Sequence, residues 1–135
     1  MKRGIFTLIV MLTISFTLSA CSDIAEPIIL PDLEEVISIK VSEDDDELVY
    51  TDVEDISSII SKINEAKATS KPTVQDNPVN VENYYSVYIT ANEEQSTTLY
   101  IYKEKSKWYI EQPYQGIYET DEAIFEDLGG GVLNE

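Results

Sequence analysis

Tyr84-Tyr85-Ser86-Val87-Tyr88-Ile89-Thr90-Ala91, Leu99-Tyr100-Ile101-Tyr102 and Trp108-Tyr109-Ile110-Glu111 decide the reading of this chain. In each run the side chains alternate in character, and a period of two sends neighbours to opposite faces of a strand. One face then gathers Val87, Ile89, Leu99, Ile101, Trp108 and Ile110. The other gathers Tyr84, Tyr88, Tyr100, Tyr102 and Tyr109. The links, Asn92–Gln95 and Lys103–Lys107, are short and polar, as hairpin connections are. The three runs therefore predict an antiparallel meander.

Upstream, Glu35 to Ser42 alternates Ile37, Ile39 and Val41 with polar residues and reads as a strand. Glu43-Asp44-Asp45-Asp46-Glu47 makes a charged turn, and Leu48-Val49-Tyr50 can pair back as a hairpin. Thr51 with Glu54 three residues on has the form of a capping box. Val53, Ile56, Ile59, Ile60 and Ile63 follow at helical spacing, with Ala66 extending the stripe. Ala68 to Val81 reads as a loop. Downstream, Pro113 ends the third run, and Gly116 offers a residue free to take positive φ in a turn. Thr120 is placed to cap a short helix over Asp121–Leu128, which the three glycines 129–131 end. The expected fold is α+β: an antiparallel sheet, built from an N-terminal hairpin and a three-stranded meander, with one long and one short helix on one face.

The first twenty residues read as an address. Lys2 and Arg3 precede an uncharged run from Ile5 to Thr17, and Leu18-Ser19-Ala20-Cys21 follows. That order is a secretory leader, and its apolar run is shorter than the roughly 20 residues that span a bilayer as a helix. Leu18-Ser19-Ala20-Cys21 resembles a bacterial lipobox, which implies cleavage before Cys21 and a lipid on its thiol. The expected organisation is a leader over 1–20, a lipidated tether over 21–32, one α+β domain over 33–128 and a flexible tail over 129–135. The expected place is the outer face of the cell membrane, held by the lipid.

Composition narrows the chemistry. The 135 residues include 26 acidic and 9 basic side chains, one Cys and no His. Catalysis by Ser-His-Asp or Cys-His, His-ligated metal and an intrachain disulfide are excluded. Loss of Lys2 and Arg3 with the leader leaves seven basic residues against 26 acidic ones, a side-chain charge of −19. Such a chain lacks the basic footprint that nucleic acid requires. No cofactor and no catalytic residue is implied. The acidic run 43–47 has oxygen ligands for a cation but lacks the alternation and central Gly of a calcium loop, so no metal site is assigned.

Five tyrosines on one sheet face offer a flat amphipathic surface, since Tyr combines large area with few rotors and a polar tip. The same tyrosines also serve as cross-strand pairs on a half-wet sheet. Ile110-Glu111-Gln112-Pro113-Tyr114-Gln115-Gly116-Ile117-Tyr118 is the densest local pattern. It resembles the hallmark of a family of small exported lipoproteins of Gram-positive bacteria, classed as a domain of unknown function. The stretch Thr69 to Pro78 and the Asp55-Ile56…Ile59-Ile60 helix resemble that family too. The resemblance implies an exported domain over most of Pro31 to Leu128 and transfers no catalytic residue. Physically, 111–118 is either a structural turn or a display of Tyr114 and Gln115 to a partner.

The expected function is a non-catalytic binding module whose candidate contacts are Tyr84, Tyr88, Tyr100, Tyr102, Tyr109, Tyr114 and Gln115, with a protein, peptide or wall component as ligand. A second expectation, from the charge, is an immunity or inhibitor lipoprotein that captures a cationic toxin, peptide or enzyme. A small carboxylate-based hydrolase is a third, supported only by the abundance of Asp and Glu.

Overall fold

The computed structural model describes residues 24–73, 75–92 and 95–130. The expected leader, the expected lipobox and Cys21 lie outside the described residues, as do Val74, Glu93-Glu94 of the expected turn and the tail from Gly131.

Seven strands form one sheet: β1 (Ser38–Glu43), β2 (Asp46–Tyr50), β3 (Lys67–Ala68), β4 (Tyr85–Asn92), β5 (Gln95–Glu104), β6 (Lys107–Gln112) and β7 (Gly116–Thr120). Their order across the sheet is β2-β1-β4-β5-β6-β7-β3. Every neighbouring pair is antiparallel. Helix α1 spans Val53–Asn64 and α2 spans Ala123–Asp127, which completes the expected α+β architecture. Among the described residues no helix is long and apolar enough to cross a membrane.

The alternation in the meander sets the core. Val87, Ile89, Leu99, Ile101, Trp108 and Ile110 are all buried on the inner face. Ile56, Ile59, Ile60 and Ile63 of α1 pack against them, with Ile124 and Leu128 from the α2 region. Helical spacing puts these four isoleucines on one stripe, so one face of α1 is removed from water. Val53, expected to extend that stripe, is exposed because it occupies the first helical position, beyond the edge of the core. The cap is Asp52 rather than Thr51: its Oδ1 accepts from the Glu54 N–H at 2.9 Å. At α2, Asp121 rather than Thr120 meets the first turn, accepting from Ala123 N–H at 3.0 Å.

Three segments depart from expectation. Leu33–Glu35 is a single 3-10 turn, so β1 begins at Ser38 and Ile37 is left exposed. The stretch 111–118, expected as a turn, contains a strand. Pro113 and Gly116 mark only the tight link, after which β7 pairs back on β6 from Gln112↔Gly116 to Trp108↔Thr120. The positive φ in that link belongs to Tyr114 (φ 62), not to Gly116. The expected loop from Ala68 starts with an edge strand, since Lys67 and Ala68 pair with Glu119 and Tyr118.

The segment expected as a tether up to Asp32, with an Ile28-Ile29-Leu30 triplet able to tuck against the domain, is engaged with the domain from Ala25 on. Ala25 N–H donates to Thr69 O, and Ala25, Ile28 and Leu30 pack against the core. Residues 25–30 are thus packed on the domain.

Candidate functional site

The outer sheet face carries the five tyrosines, as strand parity requires, but it is not an open surface. Lys71, Thr73 and Val81 of the loop lie against part of it, and Tyr102 is left at 5% and Tyr109 at 7% exposure. With Ile117 these two make a second apolar cluster, against which Val81 and Tyr84 pack. Strand periodicity carries no information about a loop that lies over the strands, so this cover has no signature in the alternation.

Polar groups pin the loop in place. Glu111, buried within β6, accepts from Thr73 Oγ1 at 2.6 Å on one oxygen and from Tyr102 Oη at 3.2 Å on the other. Burial and the Glu111 carboxylate together push the Tyr102 phenol above its usual range. Lys71 forms an ion pair with Glu104 and sits 4.0 Å from the centroid of the Tyr109 ring. The hydrogen bond and charge of Lys71 hold the Glu104 carboxyl below its usual range. Sequence patterning does not single out Glu111. Its only signal there is a carboxylate flanked by Ile110 and Gln112 on a strand that otherwise buries.

Tyr84, Tyr88 and Tyr100 remain half-exposed. Tyr84 and Tyr100 meet edge to face, with ring centroids 5.3 Å apart. Lys40 Nζ lies 5.0 Å from the Tyr88 ring centroid. Beside this ridge, a cleft of about 450 Å³ runs along Ser42, Glu43, Glu82, Asn83, Tyr84 and Tyr88. A second cleft, also about 450 Å³, continues around the sheet end past Glu43, Asn83, Tyr85, Lys103 and Trp108. Trp108 Nε1 and Glu43 Oε2 are buried without a hydrogen-bond partner among the described residues. The ridge and its clefts therefore combine aromatic faces, amides and carboxylates, groups that suit a polar ligand with flat or extended surfaces.

The remaining candidates fall elsewhere. Tyr114 is 65% exposed, and its hydroxyl donates to Asp76 Oδ1 at 2.7 Å. Gln115 is half-buried and donates to Pro27 O at 3.1 Å. Gln112, Gln115, Gly116 and Tyr118 clamp the N-terminal segment, whereas Tyr114 reaches Asp76, a carboxylate close enough to act on the Tyr100 hydroxyl of the ridge. Gln112 accepts from Ile29 N–H and donates to Ile29 O, each at 2.8 Å, which reproduces the paired bonds of a neighbouring strand. Tyr118 Oη donates to Glu26 O. A Cβ on Gly116 would stand 2.3 Å from Ala25 Cβ, so glycine is needed there for close approach.

The acidic run 43–47 forms the β1–β2 hairpin, with Asp44 at φ 50 and Lys40 paired to Glu47 at 3.2 Å. Among the described residues no three of the Asp and Glu side chains are grouped to hold a metal ion.

The family model DUF5301, described as "Domain of unknown function (DUF5300)", matches residues 24–119. The solved structure described as "NMR structure of the protein from Ruminococcus gnavus" is 38% identical with a TM-score of 0.62; the match covers 73% of this chain and 99% of that one. No curated protein matches the chain.

Proposed function

The chain belongs to the DUF5301 family, and on that footing we propose that it is an exported, lipid-anchored, non-catalytic binding module. Leader, lipobox and Cys21 supply the address, and the outer face of the cytoplasmic membrane of a Gram-positive bacterium is the place. The observation that supports binding is the half-exposed ridge of Tyr84, Tyr88 and Tyr100 beside two adjoining clefts. The buried carboxylate nearest to it, Glu111, is engaged at both oxygens in pinning the loop, which favours a structural role over proton transfer. The ligand class is an envelope component: a wall saccharide, an extended peptide or a protein.

The test uses the tagged, lipidated chain extracted from the producing cell, incubated with envelope extract and with insoluble wall glycan. Tyr88→Ala with Tyr100→Ala is expected to lose the retained partner while keeping the unfolding midpoint. Full retention by this folded double variant refutes the ridge as the contact surface.

A second reading, capture of a cationic partner, draws on the charge. Lys40, Lys62, Lys71 and Lys107 are each paired with a Glu, so a large excess of carboxylates stays uncompensated. Affinity that falls steeply between low and high salt supports this reading, and salt-independent affinity rejects it.

A further inference from the structure

We infer that the domain stands against the lipid surface in one orientation, with Ile29, Leu33, Ile37 and Tyr114 as the face that meets the bilayer interface. The inference rests on the lipid anchor at Cys21 and adds to it the contact surface and its partner.

Ala25 is hydrogen-bonded to the domain, and only Ser22, Asp23 and Ile24 separate it from Cys21. Four residue steps reach at most about 14 Å when fully extended. A lipid on Cys21 therefore leaves no spacer that could hold the domain clear of the membrane.

The clamp then fixes which end comes close. Ala25 is held beside Gly116, at the start of β7. Ile29 is bonded to Gln112, the last residue of β6. Ile37 N–H donates to Thr90 O near the end of β4, at 2.7 Å. The segment 25–37 thus runs along one end of the sheet, from β7 to β1. The turns at Asp44-Asp45 and Lys105-Ser106 lie at the opposite end, as antiparallel order requires.

Large exposed apolar side chains gather on and beside this segment, with Val49, Val53 and Val79 exposed elsewhere among the described residues. Ile28 and Leu30 turn inward, but Ile29 is 60% exposed, Leu33 42% and Ile37 56%. Exposed Tyr114, in the adjacent turn, adds an aromatic ring with a polar tip, the kind of side chain that favours a membrane interface. Scattered exposed apolar residues need no explanation, whereas a row of them continuous with an anchor does. The neighbouring carboxylates Glu26, Asp32, Glu34 and Glu35 are repelled by an anionic surface. The row is therefore an orienting contact for a chain already tethered, where effective concentration is high, and not an anchor by itself. This orientation turns Glu43, Trp108 and their clefts toward the aqueous side.

The test exploits the single Cys. Once Cys21 carries lipid, a Cys introduced elsewhere is the one free thiol. Full-length lipidated chains carrying Leu33→Cys, Ile37→Cys, Asp45→Cys or Ser106→Cys are labelled with an environment-sensitive fluorophore. They are reconstituted in vesicles of phosphatidylcholine with phosphatidylglycerol. Flotation reads the anchor, and quenching by shallow spin-labelled lipid reads the orientation. The expected result is several-fold stronger quenching and a blue shift at 33 and 37, with water-like signals at 45 and 106. Equal signals at all four positions on floating vesicles overturn the orientation and leave the anchor intact. Failure to float with Cys21 present overturns the anchor and the orientation together.

Discussion

Gly116→Ala tests the clamp most directly. Gly116 lies in β7 with no positive φ, so alanine is conformationally acceptable and alone would gain about 0.5–1 kcal/mol from reduced freedom of the unfolded chain. The space is the obstacle: the new Cβ would fall 2.3 Å from Ala25 Cβ and 3.0 Å from Tyr118 Oη. Overpacking of this kind costs about 1–3 kcal/mol. The cost has a ceiling, because segment 25–30 can let go. Five hydrogen bonds hold it: Ala25 to Thr69, Tyr118 to Glu26, Gln115 to Pro27 and the two between Gln112 and Ile29. At about 1 kcal/mol each, less the ordering entropy of the segment, release costs a few kcal/mol. Gly116→Ala is expected to destabilise by about 2 kcal/mol net of these effects. Ala25→Gly alone should cost about 0.5–1 kcal/mol, through backbone freedom and a lost methyl contact. The double variant should recover stability, with a coupling of about 1–2 kcal/mol, since the offending atom is gone. Denaturant unfolding of the four chains measures the cycle, and amide exchange at Ala25 and Ile29 shows whether the segment lets go. Additivity within about 0.5 kcal/mol refutes the close contact as the reason for glycine.

Four further outcomes are expected. Tyr102 ionises less readily folded than unfolded, so its contribution is present below pH 10 and is lost above it, at about 1.4 kcal/mol per pH unit; alkaline unfolding of Tyr102→Phe should be shallower by that slope, and identical curves reject the assignment. Glu111→Ala strips a buried phenol and Thr73 of their acceptor and should cost about 1–3 kcal/mol, with faster amide exchange across 69–83; unchanged exchange there rejects the pin. Leu99→Ala opens a cavity in the sheet core and should cost about 2–5 kcal/mol in denaturant unfolding. Asp52→Ala should cost about 1 kcal/mol by loss of the cap, whereas Thr51→Ala should cost little, and the reverse order would restore Thr51 as the cap.

Periodic features of the sequence proved legible. The inner faces of β4, β5 and β6 and the four isoleucines of α1 follow from spacing, because a strand or helix repeats its exposure every two or 3.6 residues. The α+β arrangement follows from their order. Features without period were not legible. Gly116-Ile-Tyr-Glu-Thr is too short and too close to Pro113 to read as a strand. Gln112 imitates a strand by pairing with a backbone 83 residues away, and nothing local announces such a partner. Cover of Tyr102 and Tyr109 depends on where an irregular loop settles, so these two of the five tyrosines went into a second small core. Tyr114 and Gln115 are neighbours in one motif yet act apart, since Tyr114 lies at the surface and Gln115 holds Pro27.

The clamp also orders events in time. Its two halves are 83 to 92 residues apart in the chain. Apart from the bond of Ala25 to Thr69, residues 25–30 gain their hydrogen bonds only when Gln112 to Tyr118 are in place. Until then the segment is held to the domain by that one backbone bond and by its apolar contacts. Docking of that segment joins the start of the domain to its last strand, a closure that spans nearly the whole domain sequence.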